Sequence, residues 1–441
     1  MPVGRKILIV SYAGAGHINP SLTFADRLRK MGVDVTISTS FFVLKNIKDK
    51  ETTPHGLTFA PFSDGHDNGI QPTTTLQQFI SDFATNGARS VGETITSAVA
   101  AGQPFDHLVY TSGIPWAAKV ALAHKLKSSL LWCQPATVLN IHYYYFNGYE
   151  NLIADNMNNM NNASFPIELP GLPSLTTADL PSFYSPSRPK EHDFLMQVLE
   201  DHVDALKTAP RVLVTSFNEL EIESITASEQ LEFLPIGPLI RSDGKENDEC
   251  IGWLDAKLEA SVVYVAFGSQ AILSMEQVEE IAIGLVTSSR PFLWVIRDSE
   301  QARRVSKTAQ LQTQGMIVEW CSQVAVLNHR SIGCFVTHGG WNSTIEALVA
   351  GVPTVVFPQW ADQPTNAKMI EDVWKTGVRV TRRGDGVVDG KEIDRCLQKV
   401  MTGDDGGEMR RNARKWRDLA TEALENGGSS TVNLQAFVND V

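Results

Sequence analysis

The residues best suited to chemistry lie in the last third of the chain. His338-Gly339-Gly340-Trp341-Asn342-Ser343 sits between an apolar run at 334–337 and a segment of helical periodicity. Unpaired backbone N–H groups at such a helix start can hold a phosphate. Upstream, Trp320 offers a flat ring on which a base can stack, for about 1–3 kcal/mol. Glu346 can accept from two ribose hydroxyls, while Asp362 and Gln363, after the apolar run 354–357, suit sugar hydroxyls. Ser343-x-x-Glu346 also fits a capping box, which needs no ligand. That alternative leaves Trp320, His338, Asp362 and Gln363 unexplained as a group.

A second candidate is His17, in Gly14-Ala15-Gly16-His17. A dinucleotide fingerprint, G-x-G-x-x-G, would need glycine where Asn19 stands, so a nicotinamide site is disfavoured. A lone histidine most often packs in a turn or caps a helix. Here it follows a strand and opens a helix, where the helix dipole lowers its pKa. The imidazole then stays neutral, as a general base requires.

These residues need elements that hold them. Ile7-Leu8-Ile9-Val10 reads as a strand buried on both faces. Asn19 reads as the N-cap and Pro20 as the first position of a helix that Gly32 closes, with the next strand at 33–38. Similar apolar runs recur at 108–110, 130–133 and 212–215, and again at 262–267, 292–297, 316–319, 334–337 and 354–357. Strands separated by helical stretches imply parallel sheets. The reading is two successive α/β domains, at 1–240 and 251–441, joined by a polar linker at 241–250, with a last helix from about 428 returning to the first domain. In open α/β sheets ligands bind beyond the carboxyl ends of the strands, so the motifs fall where a site belongs.

The chain has 441 residues, with 38 Lys and Arg against 50 Asp and Glu, a net charge of −12. That balance argues against nucleic acid or an anionic membrane as partner. Five cysteines with no C-x-x-C pair disfavour a disulfide framework or a zinc site. No run approaches 18 apolar residues, so the expectation is a soluble, cytoplasmic protein.

From Trp320 to Gln363 inclusive there are 44 residues. This segment resembles the 44-residue signature box of the plant family 1 UDP-glycosyltransferases, and the likeness extends over essentially the whole chain. The resemblance implies a GT-B fold: two Rossmann-like domains facing each other across a cleft, the first for the acceptor and the second for the UDP-sugar. It implies that Trp320 stacks on uracil and that Gln323 and Glu346 hold the ribose. His338, Asn342 and Ser343, with Trp341 among them, would serve the diphosphate, helped by Ser269. Trp360, Asp362 and Gln363 would hold the transferred sugar, and a terminal Gln goes with UDP-glucose. His17 becomes the general base of an inverting, metal-independent transfer, consistent with the lack of any D-x-D triplet. The implied protein is a monomeric UDP-glucose-dependent O-glucosyltransferase for small aromatic acceptors such as flavonoids or phenolics.

One departure bears on the acceptor. Many members carry an Asp that orients the base, in a segment like V-Y-D-S-x-x-P-W. Here Val109-Tyr110-Thr111-Ser112-Gly113-Ile114-Pro115-Trp116 puts Thr111 at the partner position. By analogy with a Ser–His–Asp triad, loss of that carboxylate costs up to roughly 10⁴ in rate. A phenol lies about three pKa units from ionisation at pH 7, roughly 4 kcal/mol, whereas a carboxylic acid is already ionised. The departure therefore favours acidic acceptors, leaving glucose-ester formation as the alternative. The segments 130–139 and 143–149 point to a subgroup that holds both anthocyanin or flavonoid glucosyltransferases and glucose-ester-forming enzymes.

Overall fold

The computed structural model describes residues 4–48, 56–71, 73–158, 166–185, 193–241, 248–268, 271–305 and 309–441. The chain divides into two compact units. Unit 1 comprises Met1–Thr177, Phe183–Arg241 and Ala423–Val441; unit 2 comprises Ala178–Ser182 and Ser242–Glu422. Most of the linker expected at 241–250 (residues 242–247) lies outside the described residues.

Unit 1 is built on a seven-stranded sheet of β1 (Lys6–Val10), β2 (Asp34–Ser38), β3 (Thr58–Phe59), β4 (His107–Thr111), β5 (Lys127–Trp132), β6 (Arg211–Val214) and β7 (Glu232–Pro235). Its order is β3-β2-β1-β4-β5-β6-β7, and every pairing is parallel. The strands are apolar runs because helices cover both faces. Ile7 and Ile9 pack with Leu22, Ala25 and Leu28 on one face, while Leu8 and Val10 join Leu108 and Tyr110 on the other. The last helix, Ser429–Asp440, belongs to this unit: Phe437 is fully buried and its ring lies 6.1 Å from Phe24.

Unit 2 repeats the plan with β8 (Val262–Ala266), β9 (Phe292–Val295), β10 (Gly315–Val318), β11 (Ile332–Thr337), β12 (Thr354–Val356) and β13 (Gly377–Arg379). The order is β10-β9-β8-β11-β12-β13, again parallel throughout. Alternate residues of β8 divide between two apolar clusters, Val263 and Val265 in one, Val262 and Tyr264 in the other.

In each sheet the strand order reverses at one place, between β1 and β4 in unit 1 and between β8 and β11 in unit 2. Loops leaving the carboxyl ends of such a pair diverge to opposite sides and leave a crevice for a ligand. His17 follows β1 and His338 follows β11, so each unit carries a histidine at its own switch point.

Candidate active site

The unit 1 histidine sits inside a helix. Helix Ala15–Lys30 starts with Gly14 as N-cap, and the His17 N–H donates to the Gly14 carbonyl at 2.9 Å. This corrects the start expected at Asn19 and Pro20, because Pro20 lies within the helix. Burial of Ile18, Leu22 and Ala25 extends the helix back past the proline. His17 is therefore a first-turn residue rather than part of a preceding loop. Its imidazole is partly buried, meets the Tyr12 ring edge-on at 5.2 Å, and is pushed down to about 4 by burial. It is a neutral base at physiological pH.

Its side-chain partner is Ser112, whose Oγ lies 3.2 Å from His17 Nδ1. Thr111, the expected partner position, instead accepts the Tyr12 N–H on its Oγ1 at 2.9 Å. Thr111 ends β4 and is taken up by Tyr12, whereas Ser112, in the turn that follows the strand, reaches the histidine. Nothing in the V-Y-T-S segment marks Ser112 over Thr111 as the partner, because Ser112 lies in the turn beyond the strand. A hydroxyl can accept from Nδ1–H and so favour the tautomer with a free Nε2 lone pair. It brings no negative charge to stabilise an imidazolium. Asp64 accepts the His66 N–H at 2.8 Å, and its charge adds to burial in raising the Tyr12 hydroxyl pKa.

In unit 2, helix Trp341–Ala350 has Gly340 as N-cap and no side-chain cap. The capping-box reading of Ser343 and Glu346 is thereby overturned, since both lie inside the helix. Gln323, which opens helix Gln323–Leu327, joins them by donating its Nε2 to Ser343 Oγ at 3.1 Å and to Glu346 Oε2 at 2.7 Å. Three candidate residues from two helices thus form one polar group.

His338 is held by absent side chains. A Cβ on Gly268 would lie 2.7 Å from its Cε1, and one on Gly340 2.5 Å from its Nε2. Gly339 between them has φ +78°, a conformation that glycine adopts without strain. Burial pushes His338 down to about 4, so the neutral ring offers one N–H. Asn342 is partly buried in the first turn of the helix. Trp341 is only 4% exposed and its ring lies 6.2 Å from Trp374, so its indole supports the turn and leaves the backbone to face a ligand. Ser269 lies outside the described residues.

Trp320 and Trp360 are 45% and 40% exposed, and no other described tryptophan is classed as exposed. Leaving indole surface in water is unfavourable by about 25 cal/mol per Å², so a ligand that covers it gains that burial. Asp362 is buried, which raises its carboxyl to about 6 against the opposing hydrogen bond from Asn366. Asn366 Nδ2 reaches Asp362 Oδ2 at 2.7 Å and the Gly339 carbonyl at 2.8 Å, tying the sugar candidates to the His338 turn. Nothing in the sequence patterns marked Asn366. Gln363 accepts the Gln359 and Trp360 N–H groups on its Oε1, at 2.7 and 3.1 Å. Its amide NH₂ is then the group it can direct at a ligand. Among the described residues no three His, Cys, Asp or Glu side chains cluster to hold a metal, and no helix is long and apolar enough to cross a membrane.

Two parallel α/β units, each with a switch-point histidine, define a nucleotide-sugar transferase of GT-B architecture. The family model described as UDP-glucoronosyl and UDP-glucosyl transferase matches residues 241–404. The chain is 46% identical to crocetin glucosyltransferase, chloroplastic, of Gardenia jasminoides, covering 99% of this chain and 97% of that protein. It is 44% identical to phloretin 4'-O-glucosyltransferase of Malus domestica, covering 100% and 98%. Os79 from O. sativa, crystallised in complex with U2F and trichothecene, superposes with a TM-score of 0.87 at 33% identity, over 98% of this chain and 99% of that one. The chain belongs to the plant family 1 UDP-glycosyltransferases.

Proposed function

We propose that the enzyme transfers glucose from UDP-glucose to a hydroxyl of a small phenolic acceptor such as a flavonoid, with inversion and without a metal. Unit 2 holds the donor: Trp320 stacks on uracil, Gln323 and Glu346 hold the ribose, and His338, Asn342, Ser343 and the first-turn N–H groups meet the diphosphate. Trp360, Asp362 and Gln363 hold the glucose. Unit 1 supplies His17, whose Nε2 takes the acceptor proton. The acceptor oxygen forms the bond to the anomeric carbon as the bond to UDP breaks, and UDP leaves with the electron pair. Its charge is stabilised by the helix N-terminus and the His338 N–H.

The observation that carries this reading is the buried, neutral His17 with Nδ1 against a hydroxyl. The phloretin relative supports a phenolic acceptor. We read the setting as cytoplasmic, which the five free, buried cysteines suit. Ester formation is the second reading, and the same contact favours it: Ser112 supplies no counter-charge, so an acceptor already ionised asks least of His17.

Incubation with UDP-glucose and a panel of flavonoids, anthocyanidins and aromatic or terpenoid acids, followed by mass spectrometry and mild alkali, tests both readings. An alkali-stable hexose adduct is expected. A base-labile adduct would make the ester the product, and no adduct from any acceptor would overturn the assignment of donor or acceptor class.

A further inference from the structure

Residues Ala178–Ser182 lie apart in sequence from the rest of unit 2 yet pack within it. The turn they meet contains Ala361, a non-glycine residue with φ +57°. Alanine avoids this region because its Cβ crowds the following carbonyl, so surrounding contacts must impose it. Both backbone groups of Ala361 are bound by one residue. Its N–H donates to Ser182 Oγ at 2.7 Å, and its carbonyl accepts the Ser182 N–H at 2.9 Å. The segment is pinned again at its other end. Thr365 Oγ1 donates to the Asp179 carbonyl at 2.6 Å, and Arg379 Nη2 donates to the buried Asp179 carboxylate at 2.8 Å.

Ala361 stands between Trp360 and Asp362, and its φ sets the directions in which those side chains leave the backbone. The Gln363 amide braces the N–H groups of Gln359 and Trp360 but not that of Ala361. We infer that Ser182 is a positioning residue for the donor sugar, a clamp that keeps Ala361 left-handed so that Trp360 and Asp362 face glucose together. The inference rests on the reading above that this turn holds the sugar. It adds a residue far upstream of the 44-residue box to the determinants of donor specificity.

The test compares Ser182→Ala, Ser182→Thr and Gln363→Ala in the full chain. The readouts are KM for UDP-glucose, the kcat/KM ratio of UDP-glucose to UDP-galactose, and the Kd of UDP by calorimetry. Losing the hydroxyl removes one hydrogen bond, so S182A should raise the UDP-glucose KM by roughly threefold to tenfold. It should also lower the donor ratio, while UDP affinity holds and S182T restores both. In the A361G background the same loss should be smaller, because glycine keeps φ above zero unaided; this double variant also separates the clamp from a general folding defect. If Q363A raises the KM and S182A does not, the clamp alone is overturned. If neither moves KM nor donor ratio, the sugar assignment of the turn falls and the clamp with it.

Discussion

The two switch points are built from the same parts and differ in what surrounds the imidazole. Both histidines leave the carboxyl end of a strand beside the place where strand order reverses, and burial pushes both down to about 4. In unit 1 the histidine lies within the helix, its Nδ1 against Ser112, with an aromatic edge beside it. In unit 2 it precedes the helix, its Nδ1 3.3 Å from the Thr337 hydroxyl, between two glycines whose missing side chains let the backbone close on the ring. Since both Nδ1 atoms meet a hydroxyl, that contact does not distinguish the two rings; the proposed proton transfer at His17 and anion contact at His338 rest on the aromatic edge beside one ring and the bare backbone around the other. Equal pKa displacement therefore does not imply equal work; the neighbours decide it.

The largest effect should come from His17→Ala. On the proposed mechanism kcat/KM falls by about 10²–10⁴, the usual contribution of general base catalysis. The Kd for UDP, measured by calorimetry, should stay put because the residues proposed to hold the donor lie in unit 2. Transfer at an undiminished rate would erase the distinction between the switch points. Gly340→Ala probes the other side. Its Cβ would stand 2.5 Å from His338 Nε2, so the ring must shift. On the proposed reading the shift takes the ring N–H away from the phosphates, so UDP should bind roughly tenfold to a hundredfold more weakly, as for a hydrogen bond to a charged group. Unchanged UDP affinity would show that the close glycines serve packing alone.

How much of this was legible in the sequence depended on the length scale of the signal. The buried strands were readable because parallel strands covered on both faces are apolar throughout, as in residues 7–10 and 262–266. Helix starts were less so. Pro20 and Asn19 are strong local start signals, yet burial of Ile18 draws the helix back to Ala15. Likewise Ser343 and Glu346 carry capping-box spacing, but the helix begins at Trp341 and Gln323 takes both side chains. Ser112 differs from the expected partner by a single residue, but it lies in the turn after β4, where strand alternation no longer guides a reading. The Ser182–Ala361 contact joins positions 179 apart and has no local signature at all. Long-range hydrogen bonds of that kind become visible only once the chain is folded.

The smallest expected effect sharpens the comparison most, because it isolates what Ser112 does for His17. Ser112→Ala removes one neutral hydrogen bond, worth about 1 kcal/mol, so kcat/KM should fall roughly fivefold. The pH profile carries more information than the rate. With His17 at about 4, the acid limb of kcat/KM should lie well below the ordinary histidine value, since the base is lost only as pH falls through its folded pKa. Ser112→Asp places a carboxylate where the hydroxyl stands, and a nearby negative charge favours the imidazolium. The acid limb should then move up toward neutrality, while activity on a weakly acidic hydroxyl acceptor rises relative to that on a carboxylic acid. An acid limb that stays put in a folded S112D protein would mean that residue 112 does not govern the base. His17 would then differ from His338 by its place in the helix and the groups packed beside its ring, and not by its hydroxyl partner.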